Sequence, residues 1–267
     1  HEYWGLNAGL DFERKIIIKE NAPEVLAKQL ENPKWQVLPL MLAGNTDCYQ
    51  PIEAKKQITR RILEVLLQYR HPVSIITKNA LILRDLDLLQ QLNRLDLLHV
   101  NISITTLNEE LRRKLEPRTV SGQKRLQVVK ALAETVIPVN ILGAPIFPGL
   151  NDSEIPEILK QASEAGASGA AYTIVRLNGS IGPIFEDWVQ KAYPDRAEKV
   201  LSQVADCHGG SLNDSRFGTR MRGEGRYADM IGKLFQISKQ KYFKGRSIKP
   251  FNYTHFCIRS GRQLDLF

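Results

Sequence analysis

Cysteine is scarce: Cys48, Cys207 and Cys257 are the only three in 267 residues. Their scatter excludes a disulfide framework and suits a reducing cytoplasm. They read as small buried or incidental thiols, with Cys48 set apart because it follows a strand end. The five histidines, His1, His71, His99, His208 and His255, show no metal-ligand spacing with each other or with cysteine, which argues against a zinc site. His99 falls inside a strand and reads as a satisfied core residue. No run of about 18 apolar residues exists, so no transmembrane helix is expected, and no signal peptide is visible. A Walker-type phosphate loop and a G-x-S-x-G elbow are both missing. Gly223-Glu224-Gly225 is too short for a dinucleotide loop. There are no internal repeats and no low-complexity tracts.

What the chain does have is 43% hydrophobic residues, enough to bury a substantial core as one large domain or as a barrel with an appendage. Five short apolar runs end abruptly in polar residues. Val37 to Ala43 breaks into Gly44-Asn45-Thr46-Asp47, and Val73 to Ile76 runs into Thr77-Lys78-Asn79. Leu98 to Ile102 runs into Ser103-Ile104-Thr105-Thr106. Pro138 to Leu142 leads to Gly143-Ala144-Pro145 and then Phe147 to Asp152. Ala170 to Val175 leads to Arg176-Leu177-Asn178-Gly179. A single such end is equally well a helix cap. Five in register describe the rim of one site.

Between the strands lie helical patterns near residues 54–69, 85–95, 108–134 and 153–165, with apolar residues three and four apart. Alternation of this kind implies right-handed crossovers and a parallel sheet or barrel, with ligands at the carboxyl ends of the strands. Glu116-Pro117 reads as a helix end rather than a catalytic pair. Residues 181–207 read as two helices broken near Pro194-Asp195, and residues 226–240 as another. His208 to Ser211 reads as a loop, and Lys244 to Arg262 as a surface-crossing tail. The expected division is a barrel core over 1–180, a helical and basic extension over 181–262, and a terminal peptide over 263–267.

The ordered strand ends resemble those of a known family. Thr46-Asp47, Ile76-Thr77-Lys78, Ser103 to Leu107, Leu115-Glu116-Pro117-Arg118-Thr119 and Pro145 to Asp152 together resemble the radical S-adenosylmethionine (SAM) enzymes. The likeness is strongest to their spore photoproduct lyase-like branch, often labelled DNA repair photolyases. It runs from His1-Glu2-Tyr3-Trp4-Gly5 to Gly223-Glu224-Gly225. The resemblance implies an incomplete (β/α) barrel, a [4Fe-4S] cluster, and reductive cleavage of SAM to a radical that abstracts hydrogen from a substrate. Such cofactors carry the difficult chemistry while the protein orients them.

By the same resemblance, Thr46 matches a hydroxyl near the cofactor, Lys78 a lysine pairing with the methionine carboxylate, and Ser103 a further polar contact. Asn45 and Asp47 would support the amino or ribose groups. Two departures stand out. The family's C-x-x-x-C-x-x-C is not in the chain, so the cluster ligands are expected upstream of His1, without which this polypeptide cannot do the chemistry. The lyase's cysteine hydrogen donor, two residues before Thr46, is Gly44 here, which argues against direct thymine-dimer repair.

Two further features concern partners. The formal charge is +8, and Arg216 to Lys249 holds ten Lys or Arg against Glu224 and Asp229, with Tyr227, Phe235, Tyr242 and Phe243 interleaved. This stretch reads either as a surface for DNA or RNA or as a solvated helix face over a buried Tyr227, Leu234, Phe235 and Ile237 stripe. Gln263-Leu264-Asp265-Leu266-Phe267 resembles the Q-L-[SD]-L-F peptide that binds the bacterial DNA polymerase sliding clamp. A phosphate-handling aldolase or isomerase on an ordinary barrel, and a non-enzymatic clamp-associated DNA-binding adaptor, are the alternatives in other functional classes.

Overall fold

A computed structural model describes residues 5–7, 9, 11 and 14–258. His1 to Trp4 and the Gln263 to Phe267 peptide lie outside the described residues. Five strands, β1 (Leu40–Leu42), β2 (Val73–Thr77), β3 (Leu98–Ser103), β4 (Val139–Ile146) and β5 (Gly169–Ile174), form one sheet in sequence order. Every neighbouring pair is parallel. This is the expected incomplete (β/α) barrel.

Alternation along the strands separates two faces. Val73, Ile75, Val100, Ile102, Val139 and Ile141 are buried and point toward the crossover helices. The opposite face carries Ser74, Ile76, Asn101, Asn140 and Leu142. Asn140 donates to Asn101 (3.0 Å), which donates on to Ser74 (3.0 Å). This polar ladder ties three strands across the concave side. Met41, on the same row as Ser74, is 59% exposed.

Two helical patterns are split in the structure. The 54–69 pattern forms α2 (Glu53–Lys56) and α3 (Ile58–Gln68). Gln57 between them has φ +51°, and the Glu53 carboxylate caps α3 by accepting from the Ile58 and Thr59 amides at 3.0 Å. The 108–134 pattern forms α5 (Glu109–Leu115) and α6 (Gly122–Glu134), following α4 (Leu86–Arg94). Asn108 caps α5 and Ser121 caps α6. Each restart has its own side-chain cap, which periodicity alone does not reveal. Helix α7 (Ile155–Glu164), α8 (Ile181–Ala192), α9 (Ala197–Asp206) and α10 (Arg226–Tyr242) lie close to the expected ranges, and α1 (Ala22–Leu30) precedes β1.

The segment after α10 crosses the amino-terminal mouth of the half-barrel. Ile248 lies beside Gly169 at the start of β5, and the Lys249 carbonyl meets His99 Nε2 at 2.8 Å. Phe251 stacks on His99 with centroids 3.7 Å apart. Further on, the Asn252 amide donates to the Asp96 carbonyl (2.9 Å) and the Cys257 amide to the Tyr69 carbonyl (3.1 Å). The tail is therefore a floor, and His99 is satisfied by it rather than by the core. On α10 the buried stripe is Ala228, Ile231, Phe235 and Ser238, while Ile237 points outward.

Candidate functional site at the carboxyl ends of the strands

The loop after β1 is fastened to β2 by one carboxylate. Asp47 accepts from the Tyr49 amide (2.9 Å), the Thr77 hydroxyl (2.7 Å) and the Lys78 amide (2.8 Å). This clasp turns Asn45 and Thr46 outward, where both are exposed. It also fixes the backbone from which Lys78 projects. A Cβ placed on Gly44 would meet nothing within 4 Å, so the position open to the rim is unobstructed.

Lys78 reaches across to Glu116, in the turn between α5 and α6, and pairs with its Oε1. The same carboxylate accepts from the Thr105 hydroxyl just beyond β3 (2.8 Å) and from Arg125 Nη2 on α6 (2.8 Å). Arg125 is buried and nearly saturated. Its Nε donates to the Val120 carbonyl (3.0 Å), Nη1 to the Ser103 carbonyl (3.0 Å), and Nη2 also to the Thr119 hydroxyl (2.7 Å). Ser103 itself is buried and donates to the Ala144 carbonyl (2.8 Å), which Thr105 also reaches (3.1 Å). The rim residues Lys78 and Ser103 thus belong to one network, and Asp47 abuts it.

The electrostatics of this cluster are lopsided. Burial works to raise the Glu116 pKa, but the adjacent Lys78 ammonium and Arg125 guanidinium outweigh it and bring it down to about 2. Two cations therefore share one carboxylate, leaving a net +1. Arg125 has its donors committed to protein oxygens. Lys78, with its side chain 28% exposed, can form three hydrogen bonds and has one protein partner among the described residues. Its remaining N–H groups have no protein acceptor among the described residues.

The next strand end is held by a second set of polar groups. Asn151, buried after β4, accepts from the Phe147 amide (2.7 Å) and donates to the Thr105 (2.7 Å) and Pro145 (3.1 Å) carbonyls. Glu154 accepts from the Leu107 and Asn108 amides (2.7 and 3.1 Å). The bend through Ala144–Pro145, a cis peptide, is therefore fixed to the end of β3. Sequence reasoning put Thr105 and Asn151 at strand ends without a role, took Glu116 as a helix end, and passed over Arg125. One signal was present. Arg125 begins the 125, 128, 129, 132 stripe on α6, and a guanidinium at a buried helical position requires an acid nearby.

The surroundings of Cys48 favour the neutral thiol. Burial, and then the Asp47 charge, push its pKa far above the ordinary range, so it stays protonated. Cys207 is raised by burial to about 12.

A half-barrel whose strand ends carry the Lys78–Glu116–Arg125 cluster defines the class of fold. Residues 13–162 match the Radical SAM superfamily. That is more than half of the chain, and the chain belongs to this superfamily. An uncharacterized protein of Mycobacterium bovis is 32% identical over 197 residues, covering 73% of this chain and 58% of the relative. An uncharacterized protein of Methanocaldococcus jannaschii is 27% identical over 190 residues, covering 71% and 68%. The chain therefore spans less than two thirds of the length of the mycobacterial relatives it matches.

Among solved structures, spore photoproduct lyase complexed with dinucleoside spore photoproduct superposes with TM-score 0.56 at 15% identity, covering 83% of this chain and 63% of that one. A doubly substituted spore photoproduct lyase with bound AdoMet and dinucleoside spore photoproduct gives 0.52 at 15% identity, with the same coverage. This likeness shows the shared fold. The family's iron–sulfur cluster does not fit the thiols of residues 1–267. Cys48 follows β1, Cys207 ends α9, and Cys257 lies on the floor. Among the described residues no three His, Cys, Asp or Glu gather as metal ligands.

Proposed function

We propose that these residues are the SAM-binding part of a radical SAM enzyme whose cluster thiolates lie outside residues 1–267. The observation that carries this reading is the Lys78–Glu116–Arg125 cluster, with its net positive charge and its ammonium turned to the rim. Lys78 would bind the methionine carboxylate of SAM. Thr46 and Asn45, exposed beside it, would offer hydroxyl and amide groups to the cofactor. Asp47 would position that loop, since both its oxygens already hold backbone and Thr77. Ser103 would present its remaining lone pair. The cofactor pair would supply the radical chemistry when bound; the protein's part would be to hold and orient SAM through Lys78, Thr46 and Asn45.

The test is metal uptake by the whole protein, extended upstream of His1. After anaerobic reconstitution it should hold about three to four irons and absorb broadly near ~400 nm. A folded, complete protein that takes up no iron would remove this reading.

The substrate side is read as DNA or RNA. Support comes from Arg220, Arg222, Arg226 and Lys233, which have no carboxylate within ion-pair distance among the described residues and so offer unneutralised charge to phosphates. The terminal Gln263, Leu264, Asp265, Leu266 and Phe267 are read as a sliding-clamp peptide. Micromolar affinity for a bacterial clamp is expected, since ordering a short peptide on a partner offsets part of the gain from burying its apolar side chains. Leu266→Ala with Phe267→Ala should abolish clamp binding without changing the melting temperature. A lowered melting temperature with no clamp binding by the wild type would place the peptide on its own barrel instead.

A further inference from the structure

Phe217 is 92% exposed, an unusual setting for a large apolar side chain that has been given a rigid support. The loop that carries it is built on a buried carboxylate. Asp214 accepts from the Arg216 amide (2.8 Å), Arg216 Nε (3.0 Å) and Nη2 (3.1 Å), and the Thr219 hydroxyl (2.8 Å). Arg216 also pairs with Glu224. The Met221 carbonyl accepts from the Ile174 amide at the end of β5 (3.0 Å), and the Glu224 amide donates to the Cys207 carbonyl (3.0 Å). The loop is thereby joined to the carboxyl-terminal end of the sheet, the end that carries Lys78.

One cation lies against this aromatic tip. The Arg220 guanidinium lies 5.6 Å from the Phe217 ring centroid. Arg222 also lines a cleft of about 640 Å³ along β5, where Lys233 and Lys239 outnumber the single carboxylate Asp229 beside Ala171, Tyr172 and Gly232. Gly232 keeps the cleft open, because a Cβ there would stand 3.0 Å from the Tyr172 hydroxyl. A basic channel leading to a stacking platform is the recurring design for binding an unpaired nucleic-acid strand. A stacked duplex would leave no free base face for Phe217. A protein partner would demand more apolar surface than Phe217 and Met221 provide among three arginines.

We infer that the Phe217 loop and the β5 cleft dock a single-stranded polynucleotide, one base stacking on Phe217 beside Arg220 while Arg222 and Lys233 hold phosphates. This rests on the nucleic-acid reading of the site and names the strand state and the residues. The experiment is fluorescence anisotropy of labelled oligothymidine, and of a labelled duplex, with the 267-residue chain. Phe217→Ala should weaken single-strand binding by about 5- to 100-fold. Phe217→Trp should retain binding, and Phe217→Leu should fall with alanine, because a greasy contact without a π face is insufficient.

Arg222→Ala with Lys233→Ala should reduce the slope of log K against log salt by about 1.4, at about 0.7 per phosphate contact on a single strand. Since Phe217 is 92% exposed, its variants should keep the wild-type melting temperature. In the reconstituted whole protein SAM binding should be the same in wild type and Phe217→Ala, so this docking and the SAM reading fail separately. Absence of single-strand binding by the wild type, stronger binding to duplex, or equal binding by Phe217→Ala or Phe217→Leu would overturn the inference.

Discussion

Glu116→Ala is expected to lower the free energy of unfolding by about 3–5 kcal/mol, the scale for breaking a buried ion pair by removing one partner. The loss would not come from Lys78, which can turn to water. It would come from Arg125, buried on α6 and left facing Thr105, Thr119 and main-chain carbonyls with no counter-charge. Glu116→Gln should cost less, because the amide oxygen can still accept while the charge is lost.

The same carboxyl gives a pH signature. It titrates at about 2 in the folded protein against 4.5 for the free group. Between those values the unfolded chain binds a proton that the folded chain does not, so folded stability declines as pH falls through 4.5 toward 2. The span corresponds to about 3 kcal/mol, present in full at neutral pH. Urea titrations across this range should show the decline in wild type and a shallower one in Glu116→Gln. Parallel curves would mean that Glu116 is not held by its two cations.

The second large effect concerns the cofactor. Lys78→Ala should weaken SAM binding to the reconstituted whole protein by roughly 1–3 kcal/mol, the scale of a charge-assisted hydrogen bond. Glu116 keeps Arg125 as partner in that variant, so the fold should survive. Thr46→Val and Ser103→Ala remove neutral contacts, each worth about 1 kcal/mol. Calorimetry separates the ranks. Equal affinity of wild type and Lys78→Ala would take Lys78 out of the site.

The strand order and the rim were legible in the sequence because a buried parallel strand is a short apolar run and its end is an abrupt polar break. Val73, Val100 and Val139 announce themselves in this way. The helix break at Gln57 was not, because a side-chain cap such as Glu53 on α3 depends on a fold-back that periodicity does not encode. Glu116 was read as the end of α5, which it is. Its second role depends on Arg125, nine residues on, and on Lys78, thirty-eight residues back. A counter-ion is chosen by three dimensions, so only the misplaced charge of Arg125 on an apolar stripe hinted at it. The floor was equally hidden. Residues 246–257 have no period, and the Asn252 and Cys257 amides bond to Asp96 and Tyr69, far away in sequence.

The most direct measurement is 5′-deoxyadenosine formed from SAM by the reconstituted, reduced whole protein, compared between wild type and Lys78→Ala. The account predicts iron-dependent product from wild type, and from Lys78→Ala a SAM dependence shifted to roughly 5- to 150-fold higher concentration, the equivalent of that binding loss. No product from an iron-loaded, folded wild type would contradict the assignment of this rim to SAM, as would a variant with the wild-type SAM dependence.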